Sequence, residues 1–185
     1  EDIPASVKKW QPAYMIYPDN TMRRIKVKHP KDNPLNWAYG KKSWRIKTKK
    51  KQLINRTRSF NYIVHPGVNL LDNYLAYYIG NRVGVVSPRA NMVELFINDR
   101  SHGVYTEVEH LDESFLRNSW KMPVNLYKGE QYNAELQMMI QDDLFNNPAL
   151  WSKRAVFNQL ESTDSSDLSH FISLIRKAET SEKAL

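Results

Sequence analysis

Two stretches early in the chain, "RRIKVK" at 23–28 and "KKSWRIKTKKK" at 41–51, alternate basic and apolar residues. A period of two sends successive side chains to opposite faces, so each stretch predicts a half-buried β-strand with a cationic face. On the second, Trp44, Ile46 and Thr48 share one side, and Arg45, Lys47 and Lys49 share the other. Asp19-Asn20 supplies a turn before the first stretch. The loop "HPKDNPLNWAYG" at 29–40 separates the two, and "SFNYIVH" at 59–65 predicts a further strand.

The charge follows this arrangement. Residues 1–60 hold sixteen Lys/Arg against four Asp/Glu, and residues 61–185 hold eleven against sixteen. A basic segment joined to an acidic one implies that the first meets something anionic, the bland reading being a solvated strand face. The 41% apolar content, five Trp and ten Tyr are enough for a core. The absence of Cys excludes disulfides, cysteine-ligated zinc and thiol nucleophiles. No run approaches the length of a membrane-spanning helix. The chain opens on Glu1 and not on Met, which predicts processing or excision from a longer protein.

After Pro66-Gly67, "NLLDNYLAYYIGNRVG" at 69–84 places Leu70, Leu71, Tyr74, Leu75, Tyr78 and Ile79 on one wide helical face. Asn69 is a candidate cap, and Gly80 or Gly84 a candidate stop. Two strands follow, 92–98 and 104–109, around the loop "NDRSHG". Asp112 then caps a helix, beside a cluster of Glu107, Glu109, Asp112 and Glu113. "VNLYK" at 124–128 is extended. Asn147 and Pro148 predict a helix over 147–161, and Ser166 or Asp167 begins another.

No HExxH, GxSxG, GxxxxGK[ST] or GxGxxG motif is present. His29, His65, His102, His110 and His170 lack metal-ligand spacing and are expected on the surface or in loops. Asp142-Asp143 is expected to face solvent. Asn55-Arg56-Thr57 is a formal glycosylation sequon. Lys42, Arg45, Lys47 and Lys49–Lys51, interrupted by Trp44, could track the phosphates of a nucleic acid or hold those of a nucleotide. With no nucleic-acid module visible and an acidic remainder, nucleic acid is the weaker reading.

The segments "KKSWRIKT", "LLDNYLAYYIGNRVG", "RANMVELFINDRSHGVYTEVEHLDESFL" and "VNLYKGE" together resemble the CotH family of spore-coat-type, secreted kinase-like proteins, over roughly residues 22–130. The family pattern carries Gly where this chain has Asp99, and an Arg-Gly pair near "HPKDNP". The resemblance implies an α+β, atypical protein-kinase-like fold. A small antiparallel sheet with one packed helix, residues 1–130, would precede a helical region, 131–185, that starts an incomplete C-terminal lobe. ATP would sit between the lobes. Lys47 is the implied phosphate-reaching lysine, Lys42 and Arg45 are runners-up, and Glu109 would lie at the cleft mouth beside the base. Asp72 is a weak partner for the lysine. Nothing in "RKAETSEKAL", nor Asp164 or Asp167, matches the family's metal-binding carboxylates. Catalytic residues and a Mg or Mn site are therefore expected beyond Leu185, in a longer parent that phosphorylates a surface or spore-coat protein outside the cell. The alternative is a non-catalytic scaffold whose basic strand grips an acidic partner.

Overall fold

The computed structural model describes residues 9–17, 20–30, 36, 40–64, 71–121, 124–129, 132–133, 138–139, 143–155 and 163–182. The chain divides into two compact units, Glu1–Ser119 and Trp120–Leu185.

The first unit is a six-stranded antiparallel sheet with strands β1 (Gln11–Ile16), β2 (Met22–Lys28), β3 (Trp44–Lys47), β4 (Ser59–Ile63), β5 (Ala90–Ile97) and β6 (Arg100–Glu109), in the order β1-β2-β3-β4-β6-β5. The alternation read from the sequence decides which face is buried. Ile25, Ile46, Phe60, Tyr62 and Tyr105 form the core, with Ala13, Met15, Val27, Trp44, Val93 and Leu95 packed against them. Register aligns them across strands: Val27 opposite Ile46, Ile46 opposite Phe60, Trp44 opposite Tyr62. Arg24, Lys26 and Lys28 of β2 and Arg45 and Lys47 of β3 are on the other face, while Arg23 alternates in phase with Ile25.

Two tight turns set this register. Asn98 and Asp99 join β5 to β6 with φ of 50° and 62°, and Asn55 and Arg56 turn the chain before β4 with φ of 47° and 64°. Positive φ at both central residues is the type I′ geometry that matches strand twist, and Asn tolerates it best among non-glycines. The expected six-residue loop "NDRSHG" is thus a two-residue turn, with Arg100–Gly103 already in β6. Gly103, at φ 77°, sits where the β5–β6 register shifts, a bulge that suits glycine.

Helix α1 (Asp72–Arg82) lies against β5. Its end follows the glycine rule. Val85 N donates to Gly80 O at 2.9 Å, Gly84 N donates to Asn81 O at 3.4 Å, and Gly84 takes φ 82°. This is a Schellman cap. A Cβ on Gly80 would stand 2.4 Å from Ser87 Oγ, so glycine lets the returning chain pass close by. The cap candidate Asn69 lies outside the described residues; Leu71 occupies the cap position and makes no side-chain cap bond. The apolar face is not buried. Leu71, Leu75, Tyr78 and Ile79 are 45–56% exposed, and the half-buried stripe is Asn73, Tyr74, Tyr77 and Gly80. The sheet supplies the core by itself, so the helix is not needed to close it. Helix α2 (Glu113–Asn118) begins as expected: Asp112 Oδ1 accepts from Ser114 N at 2.8 Å and from Phe115 N at 3.3 Å.

His29 lies in the β2–β3 loop as expected, but it is buried and not on the surface. It is 4% exposed, its Nδ1 is 2.8 Å from the Ser43 carbonyl, and its ring tilts against Trp44 at 4.1 Å. Ser43 Oγ accepts in turn from Val64 N, so these residues tie the long β2–β3 loop to the sheet. Burial lowers the His29 pKa from 6.5, and Lys42 lowers it further, against the hydrogen bond to Ser43 that raises it. The neutral ring is therefore the folded form. Its stabilisation is complete above pH 6.5 and is lost as pH falls below that value. Urea midpoints between pH 7.5 and 5 are expected to fall in the wild type and to fall less steeply in His29→Gln.

The second unit contains β7 (Leu126–Gly129), β8 (Tyr132–Asn133), β9 (Met138–Met139), a 3₁₀ turn at Pro148–Leu150, β10 (Trp151–Ala155) and helix α3 (Ser166–Glu182). Asn147 caps as its sequence implies, Oδ1 accepting from Ala149 N at 3.0 Å. The helix expected over 147–161 nevertheless stops after one 3₁₀ turn. Trp151–Ala155 instead pairs antiparallel with β7, where Trp151 lies opposite Gly129. The ladder satisfies that backbone, and Trp151 Nε1 donates to Leu144 O at 2.9 Å. Tertiary pairing overrides the local cap signal here. The remainder of that expected helix, from Val156 on, lies outside the described residues. Asp143 is exposed as expected.

Candidate functional site: a cationic pocket on the sheet

Strand pairing places like charges directly opposite one another. Lys26 on β2 faces Lys47 on β3, and Lys28 faces Arg45. Directly opposed side chains have Cβ atoms about 4.5–5.5 Å apart, and like charges there destabilise a sheet. Around the first pair, Trp10, Pro12, Arg24, Ile25, Lys26, Lys47, Thr48, Lys49 and Arg58 enclose a pocket of about 450 Å³. Five of these nine residues are cationic and none is acidic. The volume is in the range of small-molecule sites, about 300–1,000 Å³.

Lys47 is the centre of this arrangement. It is half-buried, and burial lowers its pKa; Arg58, Lys26 and Lys50 lower it further, while Asp112 raises it. The Trp10 ring lies 5.9 Å from the Lys47 ammonium and 5.0 Å from that of Lys28. Arg58 Nε donates to the Thr48 carbonyl at 3.2 Å, which fixes one wall. An ammonium that is partly desolvated among other cations gains most from an anion, because the anion relieves both penalties. The opposed pair has its own consequence. Lys26→Gln is expected to raise the ligand-free stability by about 0.5 kcal/mol. A urea midpoint below that of the wild type would contradict the repulsion.

The other residues proposed from the sequence are placed differently. Arg45 shares the Lys47 face, where its Nε donates to Asn61 Oδ1 at 2.7 Å, and it does not line the pocket. Lys42 lies in the segment before β3, near His29, and also does not line it. Asp72 is exposed at the start of α1.

Glu109 lies two strands from Lys47, about 10 Å between strand axes, but on the opposite face, since it pairs with the core residue Phe60. It is 3% exposed. Thr57 Oγ1 donates to Oε1 at 2.6 Å, Asn118 Nδ2 donates to Oε1 at 2.9 Å, and Arg89 Nε donates to Oε2 at 3.1 Å. Arg89 Nη2 also reaches Thr57 Oγ1 at 2.7 Å and the Asn55 carbonyl at 2.8 Å. Burial pushes the Glu109 pKa up, but the bonds from Arg89, Thr57 and Asn118 outweigh it and hold the carboxylate below its ordinary value. This network fastens the 54–57 turn, the end of β6 and the end of α2. The sequon hydroxyl, Thr57, is wholly inside it.

Nothing in the sequence pattern singles out Arg89. Arg24 and Lys26 carried the same alternation as Lys47. Trp10 and Arg58 had no periodic signal and enter only through strand pairing. Among the described residues, no three His, Asp or Glu side chains stand together to hold a metal ion. No helix of the described residues is long and apolar enough to cross a membrane.

A family model described as CotH kinase protein matches residues 35–185. The chain belongs to the CotH kinase protein family. No curated protein matches it. The family is kinase-like, and the chain is a mixed α and β protein with an antiparallel sheet and few helices.

Proposed function

We propose that this CotH-family chain binds a nucleoside triphosphate, ATP, through the phosphate groups, with Lys47 as the principal contact. The supporting observation is the pocket itself: five cations, two of them directly opposed across strands, with no carboxylate among the described lining residues. A triphosphate supplies the missing negative charge in one compact ligand, and Arg and Lys hydrogen-bond phosphate oxygens with charge assistance. In this reading the sheet and α1 are the small lobe of an atypical protein-kinase-like fold, and the segment from 131 onward begins the second lobe. Arg45 orients β3 through Asn61. Glu109 serves the site indirectly, by fastening the strand end and turns through its network. Transfer to a hydroxyl of a protein at a cell or spore surface would draw on metal-holding carboxylates supplied elsewhere in the parent protein.

Equilibrium dialysis of the chain against labelled ATP tests the reading. Saturable binding of one ATP, weakened by salt, is expected. A second reading, a scaffold gripping an acidic polypeptide, draws on the same unpaired positive charge. Salt-sensitive capture of polyglutamate that ATP does not compete away, together with no ATP binding, would replace the nucleotide reading with that one.

A further inference from the structure

The pocket is built from two parts of the chain. Lys47, Thr48, Lys49 and Arg58 fall within the family-matched span, which begins at residue 35. Trp10, Pro12, Arg24, Ile25 and Lys26 precede it and come from the β1–β2 hairpin and the residue leading into it. We propose that this hairpin is a specificity element: Arg24 and Lys26 grip the distal phosphates and make the site select ligands by the number of phosphates they carry.

The inference rests on the nucleotide reading above and deepens it. Lys26 faces Lys47 across the ladder, and Arg24 is two residues further along β2. Alternate residues on a strand are about 6.6 Å apart, so the three cations span more than one phosphate group can bridge. Pro12, which pairs with Lys26 on the edge strand, adds no ladder N–H and no charge at this wall. A monophosphate would satisfy Lys47 and one neighbour. A triphosphate would reach from Lys47 to Arg24 and remove the Lys26–Lys47 repulsion as it bound. Trp10 is a positioning residue: its ring lies beside the ammonium groups of Lys28 and Lys47 and disfavours their swing into solvent.

Calorimetric titration of the whole chain with AMP, ADP, ATP and inorganic tripolyphosphate tests this, in the wild type, Lys47→Gln and the double variant Arg24→Gln/Lys26→Gln. In the wild type, affinity is expected to rise from AMP through ADP to ATP, with tripolyphosphate binding comparably to ATP. The double variant should lose about a hundredfold for ATP and tripolyphosphate, roughly tenfold per cation removed, and less than threefold for AMP. Its ligand-free urea midpoint should not fall, which separates lost contacts from a damaged fold. ATP affinity within threefold of the wild type in the double variant, with Lys47→Gln still impaired, would overturn the hairpin's role and leave the nucleotide reading standing. An equal loss for AMP and ATP would also overturn it. A wild-type chain that binds none of the four ligands would bring down both.

Discussion

Glu109→Ala is expected to lower the unfolding free energy by about 3 kcal/mol. Breaking a buried ion pair costs about 3–5 kcal/mol when the survivor stays buried. Arg89, with a side chain 49% exposed, can turn to water, which places the loss near the lower bound. Thr57 and Asn118 have less freedom. The Thr57 hydroxyl is fully buried, and Asn118 Nδ2 loses its shortest bond. The pH dependence follows from the lowered pKa of the carboxyl. Its stabilisation is present above the ordinary value of 4.5 and is lost as pH falls through the folded value. The gap between wild type and Glu109→Ala in urea unfolding should therefore be full at pH 7 and narrow under acid. Arg89→Ala combined with Glu109→Ala should cost less than the sum of the two. A Glu109→Ala midpoint equal to that of the wild type would show that the network does not hold the turn, strand end and helix together.

Lys47→Gln is expected to weaken ATP binding by about 2 kcal/mol, roughly thirtyfold. The same change should leave the ligand-free protein at least as stable, because it removes one member of an opposed lysine pair and a desolvated ammonium. Opposite signs for stability and affinity are the mark of a site maintained against the interests of the fold. Arg45→Gln is a useful contrast. Its partner is Asn61 and it does not line the pocket, so its effect on ATP should be several-fold smaller. Equal losses for Lys47→Gln and Arg45→Gln would mean that the whole basic face binds ATP diffusely.

The strands were legible because their alternation is strict. The side assigned to Trp44, Ile46 and Thr48 is the buried one, and that assigned to Arg45 and Lys47 is the basic one. The cap at Asp112 was legible because capping is local. Helix 147–161 was misread for the complementary reason. Asn147 and Pro148 start a helix, but nothing local reveals that β7 will claim Trp151–Ala155. The buried side of α1 was not legible because an apolar stripe does not say whether a sheet leaves room for it. In the site, Lys47 could be found from β3 alone. Its opposition to Lys26 depends on the β2–β3 register, set across a fourteen-residue sequence separation between His29 and Ser43. Glu109 was visible as a charge. Its burial against Arg89 depends on topology that brings residues twenty positions apart into contact.

The most direct measurement is site-resolved lysine acylation with and without ATP, read by mass spectrometry on the intact 185-residue chain. ATP is expected to protect Lys47, Lys26 and Lys49, which line the pocket, while leaving Lys42 and Lys128 reacting as before. Unchanged acylation of Lys47 at saturating ATP, or equal protection of Lys42 and Lys47, would contradict a phosphate site built on the opposed strands.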